Sequence, residues 1–149
     1  RARWHAPSVP AAQRDRAALD TLARVSGITT IEVDLERGDA ASWPFGQRQF
    51  GAIVVTNYLH RPLFPLIVDA LASGGVLIYE TFMLGNERYG RPSNPNFLLA
   101  PDELWNAFAP LRRVAFEQGL IDAVRRAMVQ RIVAVRATDA IGIDAARIE

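Results

Sequence analysis

Four polar side chains lie at the end of a short apolar run near the middle of the chain or just after it. The run covers residues 50–56 and is rich in β-branched residues, and it is followed by Asn57, Tyr58 and His60. An apolar run of this length without alternation predicts a strand that is buried on both faces, as in a parallel sheet. Ligands of open α/β sheets bind beyond the carboxyl ends of the strands. Thr56, which ends the run, and the three residues after it are therefore candidates for a ligand site.

A second predicted strand also ends in polar residues. The segment 62–71 begins with proline and has apolar residues at helical spacing, so it predicts a helix that packs back on the sheet. The turn at 73–75 then leads into the apolar run 76–79, which predicts another buried strand, and Glu80 follows it.

The first third of the chain predicts further helices and one strand. Residues 1–6 are consistent with the end of a helix, and the apolar positions after Arg14 predict a second helix that stops at Gly27. Residues 28–35 are rich in β-branched residues and predict a strand with Asp34 near its end. A polar loop or short helix is expected at 37–49.

The last third predicts a loop, a helix and two strands. Residues 83–100 contain several glycines, prolines and asparagines and predict a long loop, which in a compact domain is usually functional or disordered. We expect a helix at 101–109, strands at 114–118 and 127–137, and a tail at 139–149. This alternation indicates an α/β fold with three layers in one domain, residues 1–138.

Composition narrows the class of protein. The 149 residues are half hydrophobic, and 17 basic and 16 acidic residues leave a net charge of +1. A chain so nearly neutral has no overall field to attract nucleic acid or a membrane, so we expect neither as a partner. The absence of cysteine excludes disulfides and a cysteine nucleophile, and it favours a cytoplasmic location.

Four segments together resemble the class I S-adenosylmethionine-dependent methyltransferases, in particular small bacterial ones of the tellurite-resistance type. The segments are VDLE at 33–36, VVTNYLHRPLF at 54–64, LASGGVLIYETF at 71–82 and GNERYGRPSNPNFLL at 85–99. The resemblance implies a Rossmann-like three-layer sandwich, with a mostly parallel sheet and a C-terminal antiparallel strand pair. It also implies S-adenosylmethionine as cofactor and a small molecule as methyl acceptor.

The resemblance assigns roles by position. Asp34 would accept a hydrogen bond from the adenine amino group, and Leu35 would pack on the adenine face. Thr56 and Asn57 would lie beside the methionine part of the cofactor. Candidates for the rim where the acceptor enters are Tyr58, His60, Glu80, Tyr89 and Arg91.

The residues also allow plainer interpretations. His60 has too few possible partners for a zinc site, and capping the helix at Pro62 is an alternative role. Tyr58 and Tyr89 fit packing equally well, and Arg91 fits a solvated loop face. No residue is singled out as a catalytic base.

Two features of the family have no match in the sequence. The glycine-rich loop GxGxG after the first strand is absent, and Gln13 stands where an acid would hold the ribose hydroxyls. The first strand itself would lie beside the strand at 50–56, so we expect upstream residues or a strand from a second chain, as in a homodimer, to fill that place. Two functions follow: methyl transfer, or a non-catalytic methyltransferase-like module that acts through oligomerisation or a protein partner.

Overall fold

The computed structural model describes residues 2–4, 20–21, 24, 29–31, 33–35, 43–122 and 126–138. The chain divides into two compact units, Arg1–Phe45 and Gly46–Glu149. In the described residues, no helix has the length and apolar character needed to span a membrane.

The first unit contains a pair of short parallel strands. Strand β1, Ala2–Trp4, pairs with β2, Thr29–Ile31. The helix predicted at residues 1–6 is therefore wrong for Ala2–Trp4, because pairing with a neighbouring strand overrides a weak local preference. The strand predicted at 28–35 is confirmed for Thr29–Ile31. Most of the helix predicted after Arg14, and Gln13 with it, lies outside the described residues.

The second unit is built on a four-stranded mixed sheet with the order β3-β4-β6-β5. Its strands are β3 (Phe50–Thr56), β4 (Leu71–Phe82), β5 (Arg112–Asp122) and β6 (Arg126–Val135). Strands β3 and β4 are parallel, and β6 runs antiparallel to both β4 and β5. The predicted C-terminal antiparallel pair is confirmed, and it is longer than the sequence indicated. The three-layer arrangement stays a prediction.

Helices cover one face of this sheet. Helix α1, Leu63–Ala70, joins β3 to β4, and helix α2, Glu103–Ala107, precedes β5. Phe64 of α1 packs against Tyr79 of β4 with ring centroids 5.9 Å apart. Phe108, at the end of α2, lies 5.2 Å from Phe64 and 5.7 Å from Tyr79 between ring centroids. These three aromatic rings form the centre of the core on that face.

Strand β3 is buried on one face only, contrary to the prediction of burial on both. Ile53 and Val55 are buried, whereas Val54 is 57% exposed. Alternate side chains of a strand point to opposite faces. Only the Ile53 and Val55 side of β3 faces the core, although the sequence of the strand is apolar throughout.

The double glycine explains how α1 leads into β4. The partner of Phe50 is Leu71 and that of Ala52 is Val76, so the ladder is interrupted between them and is regular from Val76 onwards. A Cβ at Gly75 would lie 2.9 Å from the carbonyl oxygen of Phe50 and 2.8 Å from that of Ala72. A side chain at Gly75 would therefore force apart the backbones that meet there.

The segment 83–100 is a long loop, as predicted, with two short 3-10 turns at Asn86–Arg88 and Pro95–Phe97. Its two ends lie side by side. The amide of Leu84 donates to the carbonyl oxygen of Leu99 at 2.9 Å, and the amide of Leu99 donates to that of Phe82 at 3.0 Å. The loop therefore leaves and rejoins the fold at the carboxyl end of β4.

Candidate ligand site at the carboxyl edge of the sheet

The parallel strands β3 and β4 end side by side and present polar residues there. Thr56 is the register partner of Glu80, and the amide of Asn57 donates to the carbonyl oxygen of Glu80 at 2.9 Å. Asn57 has a φ of 55°, a left-handed conformation that asparagine tolerates better than most residues. The side chains of Thr56 and Asn57 are both exposed. The structure thus brings together these two predicted cofactor residues at one edge.

Tyr79 holds the segment that follows β3. Its hydroxyl donates to the carbonyl oxygen of Tyr58 at 2.8 Å. Burial raises the pKa of Tyr79 well above the usual value, so the hydroxyl remains a donor throughout the physiological range. Tyr58 is itself half-buried, and its main chain is tied to the core by this bond.

His60 begins the turn into α1 through its main chain. The amide of Leu63 donates to the carbonyl oxygen of His60 at 3.0 Å, while no side chain caps the helix at Pro62. The interpretation of the His60 ring as a helix cap is therefore wrong. Its Nε2 atom is buried and has no hydrogen-bond partner among the residues that the structure describes. Buried polar atoms nearly always have a hydrogen-bond partner, so this atom is a candidate contact for a water or a ligand.

Glu80 is engaged on the sheet itself. Its carboxylate forms an ion pair with Nε of Arg131, the residue opposite it on β6. Another guanidinium nitrogen of Arg131 lies 3.6 Å from the carboxylate of Glu117. The negative charge of Glu80 at this edge is therefore balanced by the positive charge of Arg131.

Tyr89 and Arg91 lie in the loop that follows β4. Tyr89 comes directly after the turn Asn86–Arg88 and is 37% exposed, and Arg91 is also exposed. These two rim candidates are surface residues of the loop, and neither is part of the core.

The sequence did not reveal the residues that fix this loop. Arg61 and Glu103 form a two-pronged ion pair, with Nε to Oε1 at 2.6 Å and a second nitrogen to Oε2 at 2.9 Å. Arg61 also donates to the carbonyl oxygens of Asn96 and Leu98, each at 3.0 Å. No local motif signals a pair that is 42 residues apart in the chain.

Two buried amide side chains support the same loop. Asn86 accepts from the amide of Met128 at 3.1 Å and donates to the carbonyl oxygen of Pro92 at 3.0 Å. Gln130 accepts from the amide of Leu104 at 3.0 Å and donates to the carbonyl oxygen of Ala100 at 2.5 Å. A glutamine in β6 between Met128 and Ile132, its apolar neighbours on the same face, is the signal that could have identified Gln130, because buried polar side chains are nearly always hydrogen-bonded.

The first unit carries the other two predicted cofactor residues that the structure describes. Asp34 follows β2 and is exposed, and Leu35 beside it is buried with 1% of its surface exposed. An exposed carboxylate next to an apolar residue has the chemistry expected of a nucleobase contact. The role of Asp34 and Leu35 in binding a cofactor stays a prediction, and Leu35 lies in the core of its unit.

Solved structures place the chain in the class I methyltransferase fold. A crystal structure of TehB from Haemophilus influenzae matches with a TM-score of 0.60 and 13% identity over 91% of this chain, which corresponds to 49% of TehB. The chain thus spans about half the length of TehB. An S-adenosylmethionine-dependent methyltransferase from Mesorhizobium loti matches with a TM-score of 0.60 and 16% identity, over 91% of this chain and 79% of that protein.

The same fold also carries other chemistry. The [4+2]-cyclase SpnF matches with a TM-score of 0.60 and 14% identity, over 92% of this chain and 66% of SpnF. No protein-family model matches the sequence, and no curated protein is significantly similar to it. The predicted resemblance is confirmed at the level of the fold.

Proposed function

We propose that this protein transfers a methyl group from S-adenosylmethionine to a small-molecule acceptor. The observation that carries the proposal is the strand order β3-β4-β6-β5, in which the antiparallel β6 lies between β4 and β5. Polar residues lie at the carboxyl edge of the two parallel strands of this sheet. Ligands of α/β sheets bind at that edge. The methyltransferase with the same fold from Mesorhizobium loti supports the choice of reaction.

The described residues suit parts of the cofactor. In the first unit, the exposed Asp34 would accept a hydrogen bond from the adenine amino group, whereas Leu35 is already covered by protein and would act by supporting the backbone beside Asp34. In the second unit, the exposed Thr56 hydroxyl and Asn57 amide would bind the polar methionine part. S-adenosylmethionine supplies an activated methyl group on a sulfonium, and transfer depends chiefly on the relative positions of donor and acceptor.

His60 is the rim candidate with the strongest support for contact with the acceptor. Its buried Nε2 lacks a partner among the described residues, which costs about 1–3 kcal/mol for a polar group that remains unsatisfied. An acceptor hydroxyl or amine would supply the missing hydrogen bond. The imidazole at this place would also take the proton that such a group loses on methylation.

Calorimetric titration of the 149-residue chain with S-adenosylhomocysteine, the product of the cofactor, tests the binding part of the proposal. We expect saturable binding that weakens at least about tenfold on Asp34→Ala, the loss that one good hydrogen bond to a charged group predicts. The matched control is Asp20→Ala, which removes an exposed aspartate of the same unit and leaves the affinity unchanged.

Transfer itself needs a separate measurement, because SpnF shows that the fold does not determine the reaction. The chain is incubated with methyl-labelled S-adenosylmethionine and pools of small hydroxyl- and amine-bearing compounds, and label in the products is counted. We expect transfer that falls at least about a hundredfold on His60→Ala, within the range of general-base effects. A folded chain that binds no S-adenosylhomocysteine would overturn the proposal, and binding without transfer to any acceptor would restrict it to a cofactor-binding module.

A further inference from the structure

Arg61 joins two parts of the chain that meet at the carboxyl edge of the sheet. It lies a few residues after β3, and its guanidinium contacts the far part of the loop 83–100 and the first residue of α2. Four of its hydrogen bonds lie between 2.6 and 3.0 Å, two to the carboxylate of Glu103 and two to the main-chain carbonyls of Asn96 and Leu98. A single side chain thus holds the loop at two places and joins both to the start of α2.

The carboxylate of Glu103 completes this arrangement. One of its oxygens also accepts from the amide of Ala100 at 2.8 Å. The hydrogen bonds to Glu103 raise the pKa of Arg61 above its already high usual value, so the guanidinium keeps its positive charge. The side chain of Glu103 is 19% exposed and that of Arg61 is 44% exposed, so water has limited access to the carboxylate.

The near part of the loop is fixed independently of Arg61. Asn86 is 2% exposed and binds β6 through the amide of Met128, and it binds the loop through Pro92. Met83 and Leu99 also form a parallel bridge between the two ends of the loop. Both ends of the loop are thus attached to the sheet, and Arg61 adds the contacts to the carbonyl oxygens of Asn96 and Leu98 between them.

We infer that Arg61 is a positioning residue that holds the loop 83–100 as a fixed wall at the carboxyl edge of the sheet. The role of this wall rests on the proposed function. A loop that is fixed before binding would select an acceptor by its shape, and no lid would have to close over the bound acceptor. Arg61 follows His60 directly, so the same contact fixes the main chain that carries the proposed acceptor-binding ring.

Hydrogen exchange of the 149-residue chain without ligand tests this inference. The amides of Leu98 and Ala100 are hydrogen-bonded in the loop, to the carbonyl oxygen of Pro95 and to Glu103. We expect Arg61→Met to accelerate their exchange by about tenfold or more, while the amides of β6 keep their protection, because local opening does not require global unfolding. Arg61→Lys is expected to behave like Arg61→Met, because a lysine cannot form the two-pronged pair.

The chain offers a matched control for the arginine substitution. Arg126 also forms a two-pronged pair, with Asp122 at 3.0 and 3.1 Å, but within one hairpin and with both side chains more than half exposed. Arg126→Met should leave the exchange of Leu98 and Ala100 unchanged. Glu103→Gln, which keeps the shape of the side chain, should accelerate it by a smaller factor than Arg61→Met.

Two results would overturn the inference. Exchange of Leu98 and Ala100 that is unchanged in Arg61→Met would mean that other contacts hold the loop. Full protection in Arg61→Lys would mean that a charge suffices and that the geometry of the pair is irrelevant.

Exchange is measured without cofactor, so a chain that fails to bind S-adenosylhomocysteine would remove the proposed function and leave the test of the loop intact. If Arg61→Met does not fold, Glu103→Gln and Arg61→Lys provide the same comparison.

Discussion

The two faces of the four-stranded sheet differ in how their side chains are used. On the face that α1 and α2 cover, Leu77 and Ile132 are 0% and 1% exposed, and Tyr79 joins the aromatic cluster with Phe64 and Phe108. On the opposite face Ile78 is 44% exposed, although it is as apolar as its neighbours in β4. The hydrophobic contribution to stability is therefore concentrated on the first face, because it depends on the apolar area removed from water.

The largest difference is expected between two adjacent residues of β4. Leu77→Ala removes a side chain that is fully buried and should lower the free energy of unfolding by about 2–5 kcal/mol, the range for large-to-small changes in a core. Ile78→Ala removes the same number of carbon atoms from the other face and should cost less than about 1.5 kcal/mol, because part of that side chain is already in water. Urea unfolding followed by circular dichroism measures both. Equal losses would show that both faces are equally buried in solution.

The next effect compares two glutamines that lie opposite each other on β5 and β6. Gln130 is 0% exposed, and its removal leaves the amide of Leu104 and the carbonyl oxygen of Ala100 without their partner. Gln130→Ala should therefore cost about 2–4 kcal/mol. Gln118 is exposed. Its side chain accepts from the main-chain amide of Asp102 and donates to the carboxylate of Asp102, so Gln118→Ala should cost less than about 1 kcal/mol. The same unfolding measurement decides, and a larger loss for Gln118 would contradict the burial of Gln130.

A smaller, pH-dependent effect is expected from Tyr79 on the covered face. The pKa of its hydroxyl is raised above the ordinary value of 10.0, first of all by burial. A group whose pKa is higher in the folded state stabilises fully below its unfolded pKa, and this contribution is lost as the pH rises above that value. Stability should therefore fall from about pH 10 upwards, where unfolded tyrosine ionises.

Tyr79→Phe provides the test of this pH dependence. The variant loses the hydrogen bond to Tyr58 and should be about 1 kcal/mol less stable at pH 7. Its stability should decline less above pH 10, so the two curves should converge. Urea unfolding at several pH values, with Tyr89→Phe as the exposed control, measures this. Parallel curves for the wild type and Tyr79→Phe would contradict the assignment.

The elements of the second unit could be predicted because their signals are local. The apolar runs at β3 and β4, the proline before α1 and the double glycine each depend on residues close in the chain. The exposure of Val54 could not be predicted in this way, because a strand that is apolar throughout looks the same whether one face or both are covered.

The candidate site was predictable in part for the same reason. The position of Thr56 and Asn57 at the carboxyl end of β3 was predictable, because an apolar run that ends in polar residues is a local signal, and their role as site residues stays a prediction. Arg61 and Glu103 were missed because their contact depends on how a long loop returns to the sheet. The ion pair of Glu80 could not be predicted either, because its partner Arg131 comes from a strand that is distant in sequence.

The smallest effect should come from the ion pair on the less covered face. Glu80 and Arg131 have side chains that are 34% and 40% exposed, so solvent screening reduces what their attraction contributes. We expect Glu80→Gln to lower the free energy of unfolding by less than about 1 kcal/mol at low salt, and by still less at 1 M sodium chloride. Glu117→Gln is the control, because Glu117 is 74% exposed and lies 3.6 Å from Arg131, and it should have no measurable effect. A loss above about 2 kcal/mol for Glu80→Gln that persists in high salt would mean that this face is dry in solution, and the contrast between the two faces would then have to be abandoned.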